Sequence, residues 1–133
     1  MKKVTSFFAI AAVAVSLWGT LLLFGQSDPL KTIMQRKLEF ANNLLQALML
    51  ENFDAIERNS DRLQRLSEAS NWNVIRTHAY TRHNSEFRRA VDALERAAQE
   101  KDLDAAALAY AEMTFKCVQC HKYVRGVERA GLR

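Results

Sequence analysis

The chain has 133 residues, of which 49% are hydrophobic and 26% charged, with four glycines, one proline and two cysteines. This hydrophobic fraction excludes a disordered chain, and so few glycines and prolines exclude a collagen-like or linker protein. Two cysteines are too few for a disulfide scaffold. Without Lys2 and Lys3 the 19 basic residues fall to 17 against 15 acidic ones, which lowers the net charge from +4 to +2. That surplus is too small to indicate nucleic-acid binding.

The N-terminal segment is uncharged and mostly apolar over 4–24, directly after two lysines. A helix of that length is about 30 Å long, enough to cross the hydrocarbon core of a membrane. We expect residues 1–26 to be an uncleaved signal anchor, with 27–133 exported. The alternative is a cleaved signal peptide, although Leu23 is a poor residue three places before a cut after Gly25.

The rest of the chain predicts an all-α domain, because no glycine or proline occurs between Leu30 and Arg125. Apolar residues recur at spacings of three and four, which indicates helices. We expect four of them: from Pro29 to about 50, from about 53 to 69, from after Thr77 to about 101, and from 103 to a stop at Gly126. On the fourth, the inward stripe would be Leu103, Ala107, Tyr110, Thr114, Cys117, His121 and Val124. Short turns between such helices favour an antiparallel up-down-up-down four-helix bundle.

Two turn residues are expected to begin helices. Asn52 follows the first helix and Asp102 the third, and the side chains of both residue types commonly cap the next helix.

Cys117, Cys120 and His121 form a C-x-x-C-H motif near the end of the fourth helix. In this motif the two thiols add to the vinyl groups of haem, and the imidazole becomes an axial iron ligand. Helix positions i, i+3 and i+4 share a face, so the three side chains can meet one macrocycle from the same side. The sequence therefore predicts one covalently attached haem c, which bacteria attach outside the cytoplasmic membrane.

Three other interpretations of the motif have less support. A zinc site lacks a second ligand pair nearby, since His78 and His83 are distant in sequence. A thioredoxin-like redox pair belongs to a βαβ setting. A disulfide between Cys117 and Cys120 would be strained inside a helix.

A helical bundle with C-x-x-C-H near the end of its last helix resembles the cytochrome c′ family, the class II c-type cytochromes. The similarity spans roughly residues 28–128. It implies a haem domain over 27–133, in which Tyr110 and Trp72 lie near the haem and Arg125 tunes the iron. Members of the family commonly form homodimers through their first two helices, although the turn at Glu51 and Asn52 is shorter here than in many of them.

The ligand at the sixth iron position decides the function that the resemblance implies. Low-spin family members carry a Met ligand on the first helix, and Met34 lies at about that place. Ligation by Met34 implies a one-electron carrier of the bacterial periplasm, not an enzyme, with redox proteins as partners and the membrane as its anchor. Two alternatives stay open: His83 as the ligand, or a five-coordinate iron that binds nitric oxide or carbon monoxide as a scavenger or sensor.

Overall fold

The computed structural model describes residues 29–70, 75 and 77–131. These residues form four α-helices: α1 is Pro29–Met49, α2 is Phe53–Ser70, α3 is His78–Gln99 and α4 is Leu103–Arg129. This part of the chain contains no strand, so the prediction of an all-α domain is confirmed. None of the four helices is long and apolar enough to cross a membrane. The predicted anchor, residues 1–26, lies outside the described residues.

A three-residue turn joins α1 to α2. The Glu51 N–H donates to the Leu48 carbonyl at 3.1 Å and the Asn52 N–H to the Ala47 carbonyl at 2.9 Å, which is the Schellman pattern of a helix end. Glu51 occupies the left-handed position of this pattern, with φ of 51°. Asn52 Oδ1 then accepts the Ala55 N–H at 3.0 Å, so the predicted cap of α2 is confirmed.

The turn from α3 to α4 repeats this geometry. The Lys101 N–H donates to the Ala98 carbonyl at 3.1 Å and the Asp102 N–H to the Ala97 carbonyl at 2.9 Å. Lys101 is the left-handed residue, with φ of 56°. Asp102 Oδ1 accepts the Ala105 N–H at 2.9 Å and caps α4, as predicted.

Polar pairs show that α2 and α3 run in opposite directions. Near one end of the pair the Gln99 amide donates to Glu57 at 3.4 Å. Near the other end Arg88 forms an ion pair with Glu68 at 2.8 Å. Residue numbers therefore rise along α2 as they fall along α3, and the two helices are antiparallel.

The same relationship holds between α3 and α4. Lys116 pairs with Glu86 at 3.6 Å, and the hydroxyl groups of Thr77 and Tyr123 hydrogen-bond at 2.7 Å. In contrast, α1 packs mainly along α2 and meets α4 only over a short stretch. The four helices are thus compatible with a helical bundle. Among neighbouring helices, α1 and α4 pack against each other least extensively.

The main hydrophobic core receives side chains from all four helices and includes the fully buried Leu44, Ile56, Leu63, Leu94 and Met113. A smaller cluster of Ile75, Tyr80 and Val127 lies apart from it. Burial of these apolar side chains is the main source of stability for such a fold.

The expected end of α4 at Gly126 is wrong. The helix continues to Arg129, and Gly131 rather than Gly126 has a left-handed backbone, with φ of 65°. The reason is packing, because Val127 is buried against the cluster of Ile75 and Tyr80. Gly in a helix interior costs only about 1 kcal/mol relative to Ala, which the burial of one apolar side chain offsets.

The inward face of α4 also differs from the expected stripe. The buried residues are Ala106, Ala109, Met113 and Val127, whereas Ala107, Thr114 and His121 are exposed. Because α4 carries apolar side chains on several faces, spacing alone did not distinguish the face that the other helices cover.

Candidate functional site

A cavity of about 340 Å³ lies between α1, α3 and α4. Its walls are mainly apolar, and one side is open to solvent. Six candidate site residues from the sequence line it together: Met34, His83, Cys117, Cys120, His121 and Arg125. Its volume falls within the range of about 300–1,000 Å³ that is usual for ligand and cofactor sites.

Cys117 and Cys120 form part of the α4 wall as free, partly buried thiols. Cys117 packs against the main core, and Cys120 packs against the smaller cluster. Burial raises the pKa of both thiols, and the nearby Lys37 ammonium partly opposes this rise. Both side chains are therefore available at the cavity wall in the neutral state.

His121 and Arg125 lie beside the two cysteines at the edge of the cavity, and both are exposed. They are one helical turn apart, so both side chains can reach the same part of the opening. An imidazole that borders a cavity can offer a ring nitrogen to a metal within it.

Met34 lines the opposite wall from α1 and is partly buried. Of the other described methionines, Met113 is fully buried in the core and Met49 is 71% exposed. Neither of these lines the cavity. Met34 is therefore the described methionine that is placed to act as a thioether ligand.

Lys37, one turn after Met34, is a cavity residue that the sequence analysis missed. Its Nζ lies 4.9 Å from the centre of the Phe87 ring, and no carboxylate in the described part of the chain lies within ion-pair distance. Burial lowers the pKa of Lys37, while the nearby Cys117 and Cys120 act to raise it. The signal in the sequence was its position on the inward stripe of α1, where Lys37 lies between Met34 and Ala41.

His83 lines the α3 side of the cavity. Its ring packs at a tilt against Tyr123, with 5.3 Å between the centroids. His83 Nδ1 is buried and has no hydrogen-bond partner among the described residues. A buried ring nitrogen without a partner is uncommon, so His83 remains a second candidate for a ligand in this cavity.

Of the two remaining predicted haem-pocket residues, the structure describes Tyr110. Tyr110 packs against the main core and is not among the residues that line the cavity. Trp72 lies outside the described residues.

Two of the rival interpretations of the C-x-x-C-H motif gain no support from these positions. Cys117 and Cys120 are not joined by a disulfide. No group of three His, Cys, Asp or Glu side chains within the described ranges could hold a metal ion such as zinc. What the cavity combines is two thiols, an imidazole and a thioether around an apolar space.

Comparison with known proteins gives no match: no protein family, no curated protein and no solved structure corresponds to this chain. The function of the site is therefore inferred from the residues that line the cavity.

Proposed function

We propose that the protein is a monohaem c-type cytochrome that transfers single electrons outside the cytoplasmic membrane. The observation that carries the proposal is that Cys117, Cys120 and His121 line one apolar cavity together with Met34 from α1. Two thiols, an imidazole and a thioether are the groups that hold haem c and its iron.

Each of these residues would have one role. Cys117 and Cys120 would hold the haem through thioether bonds, and His121 of α4 and Met34 of α1 would hold its iron. The bound group supplies a one-electron iron couple. A Met ligand favours ferrous iron and therefore a high reduction potential.

The chain itself would supply the surroundings of the haem. The apolar walls keep bulk water away, and the open side leaves an edge through which a redox protein could exchange an electron. No residue is assigned a catalytic role, since an electron carrier converts no substrate. Arg125, at the edge of the cavity, would stabilise negative charge on the bound group.

The proposal also includes the topology of the bundle and the location of the protein in the cell. The antiparallel helix pairs and the motif near the end of α4 support an up-down-up-down bundle of the cytochrome c′ type. The uncharged segment 4–24 supports export to a bacterial periplasm and anchorage in the cytoplasmic membrane.

Covalent attachment is tested by haem staining of the full chain after a denaturing gel. The wild-type chain should keep its haem, and the double variant C117A/C120A should lose it. The control is V118A, which changes an exposed residue between the cysteines and should retain the haem. A wild-type chain without bound haem, or a double variant that keeps it, would overturn the proposal.

A second candidate function is the binding of nitric oxide or carbon monoxide at a five-coordinate iron. It is favoured by the opening of the cavity and by the partial exposure of Met34, which leave the α1 side accessible to small molecules. A high-spin ferrous spectrum and rapid binding of carbon monoxide would favour this candidate over the electron carrier.

A further inference from the structure

The charged residues are unevenly distributed along the four helices. Residues that touch between helices lie at about the same height, and three pairs mark the middle: Phe40 with Arg62, Gln64 with Arg88, and Glu86 with Lys116. On one side of this level is the cavity end, formed by residues 29–40, 64–70, 77–90 and 113–131. On the other side is the turn end, formed by 41–63 and 91–112. Except for Ala41 and Leu63, every residue that lines the cavity belongs to the cavity end.

The two ends have opposite net charge. The cavity end carries eleven Lys and Arg residues against four Asp and Glu, whereas the turn end carries four against ten. The described part of the chain is therefore an electrical dipole whose positive end holds the cavity. Six exposed cations of the cavity end form no ion pair within the described ranges: Lys31, Arg36, Arg89, Lys122, Arg125 and Arg129.

A groove on the surface of α3 and α4 connects this positive charge to the cavity. The groove is lined by Arg82, His83 and Glu86 of α3 and by Gln119 and Lys122 of α4. His83 lines the cavity as well, so one imidazole separates the two spaces. Its Nδ1 is buried and has no hydrogen-bond partner among the described residues. A protein seated in the groove would therefore lie one side chain away from a group bound in the cavity.

We propose that this groove is the centre of a docking surface for an acidic electron-transfer protein, an inference that rests on the function proposed above. The dipole would turn the cavity end toward an acidic partner before contact, and Arg82 and Lys122 would then meet its carboxylates. Transient encounters between electron-transfer proteins bury little area. Charge complementarity can therefore set both the rate and the orientation of docking here.

The lining of the groove favours a protein over a lipid surface. A membrane-binding surface inserts apolar side chains among the lipids, and none of the five residues that line the groove is apolar. Glu86 also lies among the cations, 3.9 Å from Arg82 and 3.6 Å from Lys116. A carboxylate in this position repels a uniformly anionic surface, whereas a protein can place a donor opposite it.

The first test follows reduction of the haem-loaded full chain, in detergent, by reduced [2Fe–2S] ferredoxin, an acidic carrier of low potential. One electron leaves the iron–sulfur cluster and converts ferric haem iron to ferrous iron. We expect the rate to fall at least about tenfold from low to high salt, because salt screens the attraction. A rate that is independent of salt, or that rises with it, would overturn the proposal.

Charge-reversal variants locate the docking surface. R82E/K122E should slow the reaction with ferredoxin at low salt at least about tenfold. The matched control is R58E/R96E, which makes the same change of charge at exposed residues of the turn end and should slow the reaction far less. Equal slowing by the two variants would show that net charge alone matters, and the groove would then have no special role.

A basic carrier separates a change of docking from damage to the fold. Mitochondrial cytochrome c is basic, so R82E/K122E should accelerate electron exchange with it, a gain that a misfolded variant cannot give. If this variant slows exchange with both carriers, charge at the groove does not select the partner and the proposal is wrong.

Haem staining and reduction by dithionite distinguish failure of this proposal from failure of the proposed function. Both should be the same in wild type and in the two double variants. A wild-type chain without haem overturns both proposals, whereas a haem-loaded chain whose rates ignore these charges overturns the docking surface alone. If those rates ignore charge while nanodiscs of phosphatidylglycerol, but not of phosphatidylcholine, protect Lys122 from acetylation, this surface meets lipid instead.

Discussion

Lys37 of α1 and Phe87 of α3 meet inside the cavity, where the Lys37 Nζ lies 4.9 Å from the centre of the Phe87 ring. A cation above an aromatic face is stabilised by the ring, the more so when water is excluded. The thiols of Cys117 and Cys120 also lie close enough to the ammonium to affect its pKa. In the proposed cytochrome these thiols would become thioethers, which cannot ionise, so Lys37 would remain as a partly buried positive charge in the cavity.

Substitution of Lys37 by Met should lower the reduction potential of the loaded protein, because a nearby cation favours ferrous iron over ferric iron. The expected fall is on the order of 50 mV, or about 1 kcal/mol for one electron. Redox titration measures it, with K31M at an exposed lysine of the same helix as the control. An equal potential in wild type and K37M would show that Lys37 carries no charge in the loaded state.

The pKa of Lys37 adds a pH dependence to this prediction. Burial lowers this pKa from the ordinary value of 10.5, so the ammonium loses its proton at a lower pH than an exposed lysine. Loss of the positive charge stabilises ferric iron, and the wild-type potential should therefore fall as the pH rises toward 10.5. The potential of K37M should lack this fall.

Replacement of Met34 should change the iron spectrum, whereas replacement of Met113 should change stability alone. M34A removes the proposed thioether ligand and should convert low-spin iron to high-spin iron in the visible spectrum. M113A leaves a cavity in the core, where Met113 is fully buried, and should cost about 2–5 kcal/mol of unfolding free energy. If M34A stays low-spin and H83A becomes high-spin, His83 rather than Met34 is the ligand.

The hydrogen bond between Thr77 and Tyr123 should anchor the start of α3 to α4. It measures 2.7 Å, and Thr77 Oγ1 also accepts the Tyr80 N–H at 3.1 Å as the cap of α3. Y123F removes one of these bonds and should cost about 1 kcal/mol in urea unfolding. T77A removes both and should cost more, and T77S should restore most of the loss. Equal stability of T77A and wild type would contradict this role.

The left-handed turn residues are sites where glycine should stabilise the fold. Glu51 and Lys101 have φ of 51° and 56°, a conformation that costs side-chain-bearing residues about 1 kcal/mol. E51G and K101G should each raise the unfolding free energy by roughly 0.5–1 kcal/mol. The control is E100G, because Glu100 has a right-handed φ of −78° and glycine there should destabilise.

The two C-terminal glycines should respond to alanine in opposite directions. At Gly126 a Cβ would meet no atom within 4 Å, and the backbone is helical, so G126A should stabilise by roughly 0.5–1 kcal/mol. At Gly131 φ is 65°, and G131A should destabilise the end of α4. Thermal unfolding of the two variants distinguishes this pattern from a general effect of alanine.

The sequence alone predicted the helices, two of their starts and the C-x-x-C-H motif, because each of these depends on residues close together in the chain. Freedom from glycine and proline between Leu30 and Arg125 predicted the helices, and Asn52 and Asp102 predicted two of their starts. The motif at Cys117, Cys120 and His121 could be recognised because its geometry depends only on the pitch of one helix.

Contacts between helices determined the lining of the cavity, the end of α4 and the face of α4 that is buried. Lys37 enters the cavity and His83 keeps a buried nitrogen without a partner because α1 and α3 pack around the same space. The helix α4 continues beyond Gly126 because the Val127 side chain is buried against other apolar residues. The sequence of α4 has apolar residues on two faces, and only packing determined which one became the core and which, at Leu108, Phe115 and Val118, stayed on the surface. Spacing along one helix is encoded locally, whereas burial depends on residues that are distant in the chain.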